Sequence, residues 1–225
     1  ARQLGVQYAD VRVANYKQQV LATEDQRVSQ ISDRDDVGFG VRVLVNGAWG
    51  FASSNEINRE EIQRVTHLAK AIAEASTTTL RQPVHLVPEK THQETFTTPY
   101  EIDPFLVSIN QKIGLLLEIT AALRKNSGVQ KANALMSLRK TKRFFANTEG
   151  TNLESLVLTT SAQYQATAVG NGDAKSRIYA PPPRTMGYEN IAAEDLLQNT
   201  ERVAEQAVEH LRAPPCPVGQ KDLIL

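Results

Sequence analysis

From Asp36 to Ser53 the chain reads Asp-Val-Gly-Phe-Gly-Val-Arg-Val-Leu-Val-Asn-Gly-Ala-Trp-Gly-Phe-Ala-Ser, and this stretch restricts the possible folds most. Val37, Phe39, Val41, Val43 and Val45 alternate with Gly38, Gly40, Arg42 and Leu44. A period of two places one row of side chains on a buried sheet face. Asn46-Gly47 tolerates positive φ at both central positions, so a type I′ hairpin is expected, returning through Trp49 and Phe51. Gly38 and Gly40 fall on the face opposite the valines. A strand without side chains on one face lets something approach closely there, either a packed helix or strand or a ligand.

Strands surround this hairpin. Val11, Val13 and Val20 mark one between Tyr8 and Ala22. Gln26–Ile31 is a weaker candidate, because Val28 and Ile31 are three apart and break strict alternation. About four strands joined by short turns predict an antiparallel meander. Asn58 then caps a helix, with Glu61 completing a capping-box-like pair. Ile62, Val65, Leu68, Ala69 and Ile72 form its apolar stripe to about Ala75, so residues 1–79 read as a first α+β unit.

Residues 80–103, with Pro83, Pro88 and Pro99, read as a linker holding one short strand at Val84-His85-Leu86-Val87. Asp103-Pro104 starts a second helix with the stripe Phe105, Ile109, Ile113, Leu116, Leu117 and Leu123. Strands follow over 131–138, 143–146 and 153–169, and Ala180-Pro181-Pro182-Pro183-Arg184 must be loop or edge. A third helix runs from Ala193 to Leu211 and stops at Pro214-Pro215. The second α+β unit therefore covers 104–213, and 214–225 reads as the start of a truncated further domain. The order strands, helix, linker, helix, strands, helix predicts an α+β fold of two antiparallel-sheet-plus-helix units. Both ends read as cut: Ala1–Gly5 resembles a helix tail, and Asp222–Leu225 an interrupted strand.

Chemistry is sparse. Lys plus Arg and Asp plus Glu each number 25, so a net charge of zero gives no electrostatic basis for binding nucleic acid or an acidic membrane. The single cysteine, Cys216, excludes an internal disulfide framework and suits a reducing compartment. No apolar run reaches the ~18–20 residues of a membrane span, and no signal peptide opens the chain, so the cytoplasm is expected. His67, His85, His92 and His210 lack metal-ligand spacing, and His67 and His210 read as solvated helix residues. Ser53-Ser54 has no nucleophile-elbow context. Gly38-x-Gly40 is not followed by a helix, as a dinucleotide fingerprint requires. Gly170-Asn171-Gly172-Asp173 is a turn before it is a phosphate nest. Arg139-Lys140-Thr141-Lys142-Arg143 with Phe144 and Phe145 is the one basic-aromatic cluster; a Lys- and Arg-guarded strand edge competes with a nucleic-acid site. No catalytic, metal-ligating or cofactor-binding residue is assigned.

Tyr8-Ala9-Asp10-Val11-Arg12, the Gly38–Leu44 strand and Asn46–Ser53 resemble the first domain of the TldD/PmbA family. Phe145–Gly150, Gly187-Tyr188-Glu189 and Ala213–Gly219 resemble its middle region, in the right order. The resemblance covers nearly the whole chain. It implies a cytoplasmic zinc metallopeptidase, also labelled modulator of DNA gyrase, that pairs with a second TldD/PmbA-type subunit as homo- or heterodimer. The expected substrate is a peptide or unfolded protein segment. The family's His-Glu-x-x-x-His helix would follow Leu225, so zinc is expected in the parent and not on these residues. Trp49 and Pro214-Pro215-Cys216-Pro217 favour the metal-bearing type. This portion would serve dimerisation and peptide-cleft formation; the alternative is a non-catalytic, protein-binding module of gyrase-modulator type.

Overall fold

The computed structural model describes residues 5–170, 172–191, 193–214, 218–220 and 222. The expected helix tail before Gly5, Cys216 and Leu223–Leu225 lie outside the described residues. The fold is α+β, in the order β1 (Tyr8–Glu24), β2 (Arg27–Val45), β3 (Ala48–Ser54), α1 (Arg59–Ser76), β4 (Gln93–Thr97), α2 (Ile109–Leu123), β5 (Val129–Asn147), β6 (Asn152–Gly170), β7 (Asp173–Tyr179), α3 (Ala193–Gln198) and α4 (Thr200–Arg212). The strands expected in two units join in one seven-stranded sheet, ordered β3-β2-β1-β5-β6-β4 with β7 also on β6. The join is the antiparallel β1–β5 pair, from Asp10 opposite Asn147 to Glu24 opposite Asn133.

The β2–β3 turn is as expected: Asn46 and Gly47 have φ of 48° and 78°. The broken alternation at Val28 and Ile31 has a cause. A bulge between Ala22 and Thr23 sets Thr23 against Val28 and Leu21 against Ile31, so both apolar residues fall on one face of a single 19-residue β2. The close neighbour of the Gly38–Gly40 face is β3: a Cβ on Gly40 would lie 2.7 Å from the Phe51 ring.

All the helices that pack on the sheet cover the same side. Ala9, Phe39, Val41, Val43 and Ala52 close one core against Val65, Ala69 and Ala73 of α1. Leu21, Met136, Leu138 and Tyr164 close a larger one against Leu116, Ile119 and Leu123 of α2 and Val203 and Ala207 of α4. Between the cores the same side turns polar. The buried Lys112 ammonium donates to the Gln19 amide oxygen at 2.6 Å, and the Gln19 amide nitrogen donates to Asp33 at 2.9 Å. Burial pushes the Lys112 amine below its usual range, while Asp33 and Asp103 pull it up.

Four expectations are corrected. The Ile62–Ile72 stripe of α1 is mostly outside: Ile62, Leu68 and Ile72 are exposed, and the seam is the narrower Val65-Ala69-Ala73 row, because the helix sits almost on the backbone of Gly50. The linker strand is at Gln93–Thr97, parallel to β6, and not at Val84–Val87, which is coil. Asp103 does not cap α2: its carboxylate holds the Phe105 N–H and pairs with Lys140 in a preceding turn, and Ser108 caps the helix through Gln111 N–H. The third helix is split at Asn199, whose side chain donates to Asp195 O and accepts from Arg202.

Candidate functional site

Among the described residues no helix packs on the other side of the sheet, and the even-numbered residues of β1 display its chemistry. Register aligns Tyr8, Asp10, Arg12, Ala14 and Tyr16 with Leu44, Arg42, Gly40, Gly38 and Asp36 of β2. On the opposite flank Asp10, Arg12, Ala14 and Tyr16 face Asn147, Phe145, Arg143 and Thr141 of β5. Leu153 and Ser155 of β6 continue the rows, followed by Glu94 and Phe96 of β4.

One end of this face is rigidly built. Asp10 is 4% exposed, and its Oδ2 accepts from Arg42 Nε and Nη2 at 2.9 and 2.6 Å. The Arg42 guanidinium lies 4.3 Å from the Trp49 ring centroid, and Tyr8 meets Trp49 edge-on at 5.8 Å. Burial raises the Tyr8 phenol above its ordinary value. These groups are bound to one another and frame the next row.

That row holds a groove of about 680 Å³, lined by Arg12, Ala14, Tyr16, Phe96, Arg143 and Phe145 among others. A second depression of about 600 Å³ shares Arg12, Ala14 and Tyr16 and continues over Gly38, Gly40 and Phe51. Ala14, Ser155 and Gly38 are small, so the row between Tyr16 and Phe145 has a low floor. Arg12 stacks on Phe145 at 5.5 Å and reaches Asp10 only at 3.7 Å. Arg143 has no ion-pair or hydrogen-bond partner among the described residues. The arrangement can hold a carboxylate and an apolar side chain; it contains no nucleophile–base pair.

The basic cluster is thereby corrected. β5 lies between β1 and β6, hydrogen-bonded on both edges, so its charges guard no edge. The pleat divides them. Lys140 and Lys142 point to the helix side, onto Asp103 and, at 3.2 Å, Glu154; Arg139 and Arg143 point to the open side. Alternation along Tyr8-x-Asp10-x-Arg12-x-Ala14-x-Tyr16 was a signal that could have placed Arg12 on this face, though not beside Arg143.

The four histidines are exposed and apart; His92 Nδ1 lies 3.3 Å from Glu94, and His210 stands near Asp173. Ser54 Oγ accepts from Glu56 N–H at 3.2 Å in the lead-in to α1. Gly170–Asp173 is the β6–β7 turn, with Asn171 outside the described residues. Among the described residues no three His, Cys, Asp or Glu side chains converge as a metal ion requires, so this donor set does not fit zinc. Among them also, no helix is long and apolar enough to cross a membrane.

Two family models match the chain: PmbA/TldA metallopeptidase domain 1 over residues 9–75, and the PmbA/TldA metallopeptidase central domain over residues 102–213. A metalloprotease of Methanocaldococcus jannaschii is 25% identical over 218 residues, covering 97% of this chain and 48% of that protein. One of Methanothermobacter thermautotrophicus is 25% identical over 219 residues, covering 97% and 46%. The chain thus spans about half the length of these relatives. Among solved structures, a candidate modulator of DNA gyrase from Thermotoga maritima superposes with a TM-score of 0.78 at 16% identity, over 97% of this chain and 48% of that one. TldE from Thermococcus kodakarensis does so at 0.61 and 14%, over 93% and 45%. At those identities the structures speak for the fold alone, whereas the two family models follow the sequence in order through most of its length, and by them the chain belongs to the PmbA/TldD metallopeptidase family.

Proposed function

We propose that this chain is the N-terminal half of a cytoplasmic metallopeptidase that degrades or matures peptides and unfolded protein segments, and that its open sheet face forms one wall of the peptide cleft. The observation that carries the reading is the asymmetry of the sheet. One side is closed by α1, α2 and α4; the other holds a groove with an apolar rim, a low floor and two arginines. Grooves of this kind suit extended segments. The zinc belongs to the rest of the parent, because the described donors do not fit it. A second TldD/PmbA-type subunit is the expected partner, in keeping with the likeness to TldE. The gyrase-modulator description of the Thermotoga relative favours the second reading, a non-catalytic module that docks on a protein.

The test is hydrolysis of a reduced, alkylated protein by the 225-residue chain and by the full-length parent, each with and without a zinc chelator. Cleavage by the parent alone, abolished by the chelator, is expected. Cleavage by the short chain, or a parent indifferent to the chelator, would overturn the proposal. A parent that binds the unfolded protein without cutting it would support the docking module.

A further inference from the structure

The open groove carries a charge pattern that peptide binding in general does not require. Among the described residues Arg143 has no ionic partner, and Arg12 has only the face of Phe145 and a 3.7 Å contact to Asp10 Oδ1, on the aspartate whose Oδ2 takes both Arg42 bonds. Arg12 lies opposite Phe145 and Ala14 opposite Arg143, so the two arginines are diagonal neighbours on adjacent strands. Diagonal positions stand roughly 7–8 Å apart, within which two guanidinium groups can share one carboxylate. Ala14 and Ser155 on either side of Arg143 leave it room to do so.

We infer that the groove is a docking site for an extended peptide crossing the strands. A glutamate or aspartate side chain of that peptide pairs with Arg12 and Arg143, and a neighbouring aromatic or leucyl side chain lies on Phe96 and Phe145. The order of charges selects a single acid and not a polyanion. Asp36 on β2 stands beside Tyr16, and Glu94 on β4 stands in line with Arg12 through Phe145 and Leu153, so a segment crossing the strands between Arg12 and Arg143 meets a carboxylate on each side. A phosphate chain carries charge at every step and would run into both ends; a peptide with one central acid meets only the arginines. Of the other nearby carboxylates, Asp10 is bound to Arg42 and Glu154 to Lys142, so neither neutralises Arg143. The aromatic rim supplies the apolar contact: Phe96 is 53% exposed and Phe51 58% exposed.

The inference rests on the reading of this face as a peptide-cleft wall and adds the class of peptide. Its test therefore measures binding alone. End-capped peptides of the pattern Ser-Leu-Glu-Phe-Ser, and the same peptides with Gln or Lys in place of Glu, are titrated into the 225-residue chain by calorimetry. A single-stranded oligothymidylate is titrated in parallel. The Glu peptide should bind about tenfold more tightly than the Gln peptide, a preference that falls with added salt. Arg12→Gln and Arg143→Gln should each reduce that preference to about twofold or less, while Arg81→Gln, at a residue that does not line the groove, should leave it intact. Melting curves confirm that each variant is folded. If one is not, the comparison of Glu, Gln and Lys peptides on the parent sequence still decides. Equal binding of the three peptides, no measurable binding, a preference unchanged by both arginine variants, or tighter binding of the oligonucleotide would each overturn the inference. Chelator-insensitive or absent cleavage by the full parent would sink the peptidase reading instead, without altering these titrations.

Discussion

Replacing Gly50 by alanine is the sharpest perturbation of this fold. A Cβ built there lies 2.0 Å from the Ala69 carbonyl oxygen, 2.5 Å from Ala73 N and 2.9 Å from Ala73 Cβ. Two of the three are helix backbone, so no side-chain rotation relieves them. Ordinary contact requires about 3.5 Å, so α1 must lift by roughly 1.5 Å where it crosses β3. Val65, Ala69 and Ala73, all fully buried, then lose contact with Val43 and Ala52. A gap of 0.5–1 Å already forfeits about a quarter to a half of each dispersion well, and overpacked sites typically lose ~1–3 kcal/mol, so a loss of about 3 kcal/mol is expected. In a chain of this size that lowers the melting midpoint by roughly 6–12 °C. Gly114→Ala is the matched control, an exposed α2 position with nothing within 4 Å of the added methyl group. Helix propensity there predicts a gain of about 0.5–1 kcal/mol. Thermal melts followed by circular dichroism compare the two. A Gly50→Ala midpoint within about 2 °C of the parent would refute the close approach of α1 to β3.

Two other changes follow from the same geometry. Gly47→Val puts a β-branched residue at φ of 78° with its Cβ 2.5 Å from Pro83 Cβ, and should cost about 2 kcal/mol or more by scanning fluorimetry; an unmoved midpoint would contradict the turn. Burial pushes the Asp103 carboxyl up, but Lys140 and the Phe105 N–H outweigh it and hold it below its usual range. A carboxyl depressed in the folded state contributes stability that is present above its unfolded pKa and lost as pH falls through the folded one. Asp103→Asn should therefore melt earlier than the parent at pH 7, with the gap narrowing as pH drops below about 4; a gap independent of pH would show that the ion pair contributes nothing.

The hairpin, the Asn58 cap and the α+β order were legible because each is fixed by residues adjacent in sequence. Asn58 accepts from Glu61 N–H at 2.8 Å, while the Glu61 carboxylate takes Arg64 and leaves the other half of the expected capping box unmade. What escaped was set at long range. Nothing near Arg139–Arg143 says that β1 will pair alongside β5, so a central strand read as an edge. Nothing near Gly50 says that a helix will rest on it, so the apolar row of α1 was drawn too wide. Asp103 satisfies the local rules of an N-cap, yet Lys140 from β5 draws its carboxylate into a turn instead. The groove was half visible: Arg143 and its phenylalanines stood out, but pairing them with Arg12 needed the β1–β5 register.

That β1–β5 seam also sets how the chain must assemble. β1, β2, β3 and α1 are neighbours in sequence, as are β5, β6 and β7, and each group can form through short loops. The seam joins residues more than a hundred positions apart, from Asp10 with Asn147 to Glu24 with Asn133. Closing such a loop costs entropy before any ladder bond repays it, so the two hairpin groups form early and the seam is the slow step. Until it closes, each group exposes a long, unpaired strand edge to other chains, and at high concentration the competing reaction is an exchange in which β1 of one molecule pairs with β5 of another.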